Sequence, residues 1–246
     1  MRRSQTLRTR WVIRTVLAVA TGIVVSAGVF AWSGAGAQSS AVALATSDVS
    51  ERVDYVEQTL TGAHARLPHN YLVALAAMSY VAGHVSATQY GYLTQIAHRP
   101  APVNAEEALQ LQAGVCGSAR DTMLAILRRL HTKARSVDAY YSTPDAPVNG
   151  HSTVEVWYQG AWHWFDPTWA TIYVKPGTSQ WKVLSLVDVL RLPPARQHAY
   201  RIGSDTMLWE RAVTAAGHSL GIETGMLFVT LPHLRVETGG RTIYQR

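Results

Sequence analysis

Three residues that lie far apart in the sequence have the chemical types of a nucleophile, a base and an orienting acid. Cys116 is the single cysteine of the 246-residue chain, and His151 and Asp166 follow it. Acyl transfer needs a nucleophile whose ionised form is favoured, a base within hydrogen-bonding reach and a third group that fixes the base. These three residue types therefore make thiol-based acyl transfer the first chemistry to consider.

The residues around Cys116 favour a reactive thiol. Cys116 stands between Gly114-Val115 and Gly117, directly before a segment predicted to be helical as far as about Leu130. A helix N-terminus presents unpaired N–H groups and a partial positive charge, which favour the thiolate and can also hold an oxyanion. A cysteine considered alone is more often an inert core residue. The interpretation of Cys116 therefore depends on His151 and Asp166.

A β-hairpin is predicted to begin at His151. Residues 151–158 and 161–165 are rich in Val, Tyr, Trp and Phe, and Gln159-Gly160 between them indicates a two-residue turn. On that turn Tyr158 pairs with Ala161. Because side chains alternate along a strand, this register decides which residues share a face of the hairpin.

On this register His151 and Asp166 become diagonal neighbours on one face, close enough for their side chains to meet. His163 falls on the opposite face and is not the expected base. Glu155 shares the face of His151, where it either tunes the site or is a solvated or structural carboxylate. Four tryptophans of this region either line an acyl cleft or form the core face of the sheet: Trp157, Trp162, Trp164 and Trp169.

These motifs resemble the transglutaminase-like superfamily over about residues 105–172. The segment Gly114-Val115-Cys116-Gly117-Ser118-Ala119 is similar to the nucleophile segment of that family. The segments that resemble its histidine strand and aspartate strand are His151-Ser152-Thr153-Val154-Glu155-Val156-Trp157, Gly160-Ala161-Trp162 and Phe165-Asp166-Pro167-Thr168.

The resemblance implies a papain-like α+β core in which Cys116 is the nucleophile, His151 the base and Asp166 the residue that orients the base. Relatives of the papain type place a glutamine shortly before the cysteine as an oxyanion donor. Gly117-Ser118 departs from the acidic or aromatic pair that is common in the family, so the local pocket is left open. The predicted substrate-binding residues are Gln110, Gln112, Gly117, Trp157, Trp164 and Trp169.

The periodicity of the chain predicts helices first and an antiparallel sheet afterwards, which is an α+β fold. Helices are predicted from Ser47, over Asn70–Val81 and Ala87–Ala97, in a short segment capped by Asn104, and from Cys116. Strands are predicted over 134–142 and in the hairpin, with a loop at 144–150 between them. The C-terminal part is predicted to contain helices at 185–191, where Pro193-Pro194 ends the helix, and 205–216, and strands at 226–231, 234–237 and 242–244.

The positive net charge of +6 belongs to the N-terminal segment. It comes from Arg2, Arg3, Arg8, Arg10 and Arg14, and the rest of the chain is close to neutral, so nucleic-acid binding is not expected. The Arg-rich start, an apolar run over 15–32 and Ala35-Gly36-Ala37 are typical of an export signal or an uncleaved membrane anchor. Both alternatives place the remaining chain outside the cytoplasm, with membrane association through residues 11–32 in the second.

The sequence thus predicts a signal or anchor over 1–37, a linker over 38–47 and one transglutaminase-like domain over 48–246. The histidines outside the hairpin are scattered, and His64 and His69 lack metal-site partners, so no metal and no cofactor is predicted. The predicted function is an exported cysteine-dependent enzyme acting on amide bonds of peptides or proteins, with hydrolysis favoured over amine cross-linking. The alternative is a non-catalytic module of the cell envelope that keeps the fold.

Overall fold

The computed structural model describes residues 40–59, 67–143, 146–203 and 235–245. All of them lie within one compact unit, Ser39–Arg246. The predicted signal or anchor segment and the elements predicted at 205–216 and 226–231 lie outside the described residues. Within the described ranges no helix combines the length and apolar character that crossing a membrane requires.

Helices occupy the first part of the described chain, as predicted. Asn104 caps its short helix, since its side-chain oxygen accepts the backbone N–H of Glu107 at 2.9 Å. The helix predicted to end at Val81 continues to His84, so Gly83 lies inside it. The helices are α1 (Ala41–Thr59), α2 (His69–His84), α3 (Ala87–Gly91) with a π-helical continuation (Tyr92–Ile96), α4 (Ala105–Gln110) and α5 (Cys116–Arg129).

The first helix begins earlier than its periodicity predicted. It starts at Ala41 rather than at Ser47, and Val42 and Ala45 are buried in the core. The carboxylate of Glu106 in α4 accepts the backbone N–H groups of Ala41 and Val42 and so caps α1 from a distant part of the chain. The prediction of a linker up to residue 47 was therefore wrong, because the small residues that suggested a linker pack against neighbouring helices.

The strands form two antiparallel sheets. The larger has the order β3-β2-β1-β6-β7 and the smaller pairs β4 with β5. The predicted hairpin register is confirmed: Tyr158 pairs with Ala161, and Gln159 and Gly160 both have positive φ, as a tight hairpin turn requires. The strands are β1 (Ala134–Thr143), β2 (Ala146–Tyr158), β3 (Ala161–Phe165), β4 (Thr171–Tyr173), β5 (Arg201–Gly203), β6 (Arg235–Thr238) and β7 (Arg241–Gln245).

Strand β2 is longer than predicted. Pro147, Asn149 and Gly150 suggested a loop before His151, yet β2 begins at Ala146, and Asn149 and Gly150 pair with residues of β1. The register between the two strands shifts at this end of the ladder, which accommodates the irregular segment. His151 therefore stands in the interior of a strand.

The larger sheet separates two hydrophobic clusters. On one face Val154, Val156 and Phe165 pack with residues of α1, α2 and α5. On the other face Val137, Ala139 and Trp164 pack with Tyr173 and with residues of the C-terminal part of the chain. Since both faces of the hairpin are covered, its side chains are held in fixed positions.

The C-terminal part is fixed to this second face through Glu155. Its carboxylate is completely buried; Oε2 accepts from the Arg135 guanidinium at 2.6 Å, and Oε1 accepts from the backbone N–H of Leu186 at 3.0 Å. Leu186 begins helix α6 (Leu186–Leu190), which Ser185 caps. Of the alternatives for Glu155, a solvated carboxylate is wrong and a structural one is observed.

A further helix follows where the sequence predicted that helical structure stops. Pro194 begins α7 (Pro194–Tyr200), so a new helix starts at the proline pair that is predicted to end the preceding one. Proline is tolerated at the first position of a helix, because its missing N–H would have no intrahelical partner there.

Substitution of Gly114 tests how tightly the segment just before α5 is packed. A Cβ atom at Gly114 would lie 2.5 Å from Cβ of Ser118 and 2.6 Å from Cγ1 of Val85. We expect Gly114→Ala to lower the free energy of unfolding by about 1–3 kcal/mol, since Cβ of Ser118 cannot move without displacing backbone and Val85 would have to change its rotamer in a packed position. Gly83→Ala is the matched control, because a Cβ there meets nothing within 4 Å. Urea denaturation followed by circular dichroism measures both, and equal stability of the two variants would contradict the packing argument.

Candidate active site

Cys116 is the first residue of α5, and it is partly buried. Val115 precedes it in an extended conformation and provides no side-chain cap. Two backbone hydrogen bonds connect the segment before Cys116 to Ser86, the residue that caps α3. Gly114 donates its N–H to the Ser86 carbonyl at 3.1 Å, and Ser86 donates its N–H to the Gln112 carbonyl at 3.2 Å. These bonds fix the position of the thiol at the start of the helix.

His151 and Asp166 form a buried pair on neighbouring segments of the sheet. The distance between Nε2 of His151 and Oδ2 of Asp166 is 2.8 Å, and both side chains are at most 5 % exposed. The second carboxylate oxygen, Oδ1, accepts the backbone N–H of Thr168 at 3.0 Å. Two backbone hydrogen bonds with Thr171 hold the main chain of Asp166 just after β3 ends. The diagonal contact predicted from the hairpin register is therefore present.

The thiol and the imidazole interact with each other. Burial by itself raises the pKa of the Cys116 thiol, but a hydrogen bond and the positive charge of His151, together with the backbone N–H groups of Ser152 and Gly117, lower that pKa below the ordinary value. Since Nε2 of His151 is engaged by Asp166, the contact with the sulfur falls to Nδ1. The structure thus brings all three predicted residues into one group.

The charge of Asp166 stabilises the protonated imidazole. Burial lowers the pKa of His151, but the charge and the hydrogen bond of Asp166, followed by the interaction with Cys116, raise the pKa of His151 to about 9. Because the thiol pKa is lowered and the imidazole pKa is raised, the group favours the thiolate–imidazolium form over the neutral thiol and imidazole. This pair has the charges that nucleophilic attack followed by protonation of a leaving group requires.

Trp169 covers the imidazole of His151. The two rings are stacked, with centroids 4.2 Å apart and an angle of 16° between their planes, and Trp169 is buried. An apolar ring in this position keeps water from the His151–Asp166 hydrogen bond and strengthens it. The sequence predicts Trp169 either as a cleft residue that binds substrate or as part of the core face of the sheet, and neither alternative includes a contact with the base. Nothing in the sequence around Trp169, which follows Pro167 by two residues, indicates the stacking on His151.

The remaining predicted substrate-binding residues lie in different surroundings. Trp164 is buried and donates its Nε1–H to the Thr153 hydroxyl at 2.7 Å, so it belongs to the sheet core. Trp157 packs edge-on against Trp162 at the turn end of the hairpin. A role in substrate binding for either Trp157 or Trp164 stays a prediction.

Gln110, Gln112 and Gly117 flank the thiol in sequence. Gln110 is exposed and donates to the Glu106 carboxylate at 3.0 Å, and Gln112 is exposed with a positive φ of 49°. Gly117 directs its backbone N–H to the sulfur of Cys116 and leaves open space where a side chain would stand. Of these three, Gly117 is the one placed at the reactive group, and substrate binding by any of them stays a prediction.

Ser152 is a residue of the site that the sequence did not indicate. It follows His151 in β2, and its backbone N–H is among the groups that stabilise the thiolate. A backbone donor has no signature in residue type, so only the observation that Ser152 adjoins the base in a strand could have suggested it.

The described fold and the clustered Cys, His and Asp side chains define an α+β domain of a class suited to thiol chemistry. The family model described as transglutaminase-like superfamily matches residues 53–167, which include all three residues. Residues 53–167 therefore match the transglutaminase-like superfamily, the family that the sequence motifs resemble. The family suggests cysteine-dependent acyl transfer.

Among solved structures, the chain is similar to one described as a TGase, with 13% identity and a TM-score of 0.33. The similarity covers 67% of this chain and 38% of that chain, so the chain spans well under half of the length of that structure. No curated protein matches the chain.

The lowered pKa of Cys116 predicts a distinctive reaction with iodoacetamide. Because the thiolate is the reacting form, alkylation of Cys116 should already be rapid near pH 6, where an ordinary thiol reacts slowly. His151→Ala removes the main group that lowers the thiol pKa, so its alkylation rate should rise with pH in the manner of an ordinary cysteine. Mass spectrometry of the alkylated peptide, recorded over a pH series, measures both rates. Alkylation of the wild-type protein that follows an ordinary thiol titration would contradict the thiolate–imidazolium pair.

Proposed function

We propose that this protein is an exported cysteine-dependent acyl-transfer enzyme that acts on amide bonds of peptides or proteins. The observation that carries the proposal is the buried His151–Asp166 hydrogen bond of 2.8 Å beside the single cysteine of the chain. An imidazole that is fixed by a carboxylate and faces a thiol at a helix start has the arrangement that thiol catalysis needs.

In the first half of the proposed reaction the thiolate of Cys116 attacks the carbonyl carbon of the amide. The oxygen that becomes negative is stabilised by backbone N–H groups at the start of α5, where Gly117 leaves room for the substrate. The imidazolium of His151 donates its proton to the leaving nitrogen, the C–N bond breaks, and a thioester on Cys116 remains. Asp166 keeps the ring in its orientation through its hydrogen bond to Nε2.

In the second half neutral His151 removes a proton from the acyl acceptor as it attacks the thioester. Attack by water releases a carboxylic acid, and attack by a primary amine forms a new amide; the sulfur leaves as the thiolate in both cases. Hydrolysis needs no second specific binding site, so we favour a peptidase or amidase over a cross-linking enzyme.

The proposed location follows from the N-terminal segment of the sequence. Its order of arginines, an apolar run and small residues supports export, with the catalytic domain outside the cytoplasm. We therefore propose peptides or proteins of the cell envelope or the exterior as substrates, and membrane association through residues 11–32 if the segment is retained. No nucleic-acid partner is proposed.

The alternative is a binding or assembly module without catalysis. A module of that kind gains nothing from a buried acid and a buried base that face a thiol, since burial of charged groups is costly even when they are paired. The buried pair therefore favours the enzyme.

Substitution of the three residues tests the proposed function on labelled β-casein. Cys116→Ala should abolish release of labelled peptides, because no thioester can form. His151→Ala should reduce kcat by about 10²–10⁴-fold, which is the usual contribution of a general acid–base group. Asp166→Asn should cause a smaller loss than His151→Ala if Asp166 only orients the ring.

His69→Ala is the matched control, because His69 is exposed and paired with Glu57 at a surface position. A fluorescent primary amine added to the same assay reports cross-linking as incorporated label, and its absence from casein that is cleaved would support hydrolysis. Turnover of casein by Cys116→Ala at the wild-type rate would overturn the proposed function.

A further inference from the structure

Arg120 lies one helical turn after Cys116 and connects α5 to the strands that face it. Its Nη1 donates to Oδ1 of Asp138 at 2.7 Å and to the hydroxyl of Ser152 at 3.2 Å, and its Nε donates to Oδ1 of Asp121 at 2.8 Å. Side chains of a helix lean toward its N-terminus, so a residue four positions after Cys116 extends over the turn that begins with Cys116. One guanidinium thus contacts three residues, and one of them, Ser152, also interacts with the thiol.

The two strand residues that Arg120 contacts are cross-strand partners. Asp138 of β1 pairs with Ser152 of β2 in the antiparallel ladder. A single guanidinium nitrogen therefore fixes both strands to the helix at one level of the sheet. Ser152 directly follows His151, so this contact acts on the strand segment that carries the base.

The contact between Arg120 and Asp138 is shielded from solvent more than the contact with Asp121. The side chains of Arg120 and Asp138 are 22 % and 19 % exposed, whereas that of Asp121 is 51 % exposed. Ion pairs at exposed positions contribute little, and partly desolvated pairs with good geometry contribute more. The contacts that can hold the two strands against α5 are therefore those of Arg120 with Asp138 and Ser152.

The backbone of Ser152 connects this network to the sulfur of Cys116. Its N–H is one of the donors that stabilise the sulfur of Cys116 as the thiolate. A shift of Ser152 away from α5 would move that N–H and the adjacent His151 together. Among the described residues, the charged or titratable groups connected to the thiol or to this network are His151, Asp166, Arg120, Asp121 and Asp138.

We propose that Arg120 is a positioning residue that holds Ser152 and His151 of β2 at the distance from Cys116 at which the thiolate is stabilised. This inference rests on the proposed function and adds to it a residue outside the predicted group of three. The guanidinium suits the task because its planar fork reaches several acceptors at fixed angles, which the single ammonium group of lysine does not do.

The test compares Arg120→Lys and Arg120→Ala with the wild-type protein in iodoacetamide alkylation over a pH series and in casein hydrolysis. We expect the alkylation rate of Cys116 at pH 6 to fall about tenfold in Arg120→Ala, the loss expected when the thiol pKa rises by one. Arg120→Lys keeps the positive charge without the fork and should show most of this loss. The effect on turnover should appear in kcat rather than in KM, because no substrate contact is removed.

Arg128→Ala and Arg129→Ala are the matched controls, because both arginines are exposed in the last turn of the same helix. Thermal unfolding separates a loss of stability from the proposed effect, since destabilisation alone does not move the pH midpoint of alkylation. If Arg120→Ala fails to fold, Ser152→Ala removes one acceptor of the same nitrogen and should shift the midpoint in the same direction.

The outcomes distinguish this inference from the proposed function. A wild-type protein whose Cys116 titrates as an ordinary thiol contradicts the proposed function itself. A wild-type protein with a low midpoint, whose midpoint and kcat are unchanged in Arg120→Lys, in Arg120→Ala and in Ser152→Ala, overturns the role of Arg120 alone.

Discussion

The hydrogen bond between the buried side chains of His151 and Asp166 is the interaction on which the rest of the site depends. A charged imidazole or carboxylate is costly to bury by itself, and each makes the burial of the other tolerable. The same pair controls the thiol, because the protonated ring supplies the charge that lowers the pKa of Cys116. Loss of either partner would therefore change both the packing of the sheet and the ionisation of the sulfur.

Three separate elements must be placed accurately relative to one another to bring Cys116, His151 and Asp166 together. The thiol comes from the start of α5, the base from the interior of β2, and the acid from the point where the chain leaves β3. Packing on both faces of the sheet makes that meeting reproducible: helices cover one face, and Glu155, through Leu186, attaches the C-terminal part to the other. The buried hydrogen bonds of Glu155 serve the site at a distance, without touching it.

Local patterns were sufficient to predict the parts of the site that local geometry determines. A two-residue turn at Gln159-Gly160 predicted the hairpin register and hence the meeting of His151 with Asp166, because strand alternation then makes these residues diagonal neighbours on one face. The start of α1 could not be predicted, since its cap comes from distant Glu106. The stacking of Trp169 on the base is likewise a tertiary contact between segments whose approach no local periodicity records.

The most direct test of the account is a difference titration of ultraviolet absorbance between the wild-type protein and Cys116→Ser, which isolates the thiolate of Cys116. The account predicts that the thiolate signal is already present at pH values well below the ordinary thiol pKa of about 8.5, and that His151→Ala returns it to that range. A wild-type signal that develops only around the ordinary thiol pKa would contradict the thiolate–imidazolium pair and, with it, the catalytic interpretation of the site.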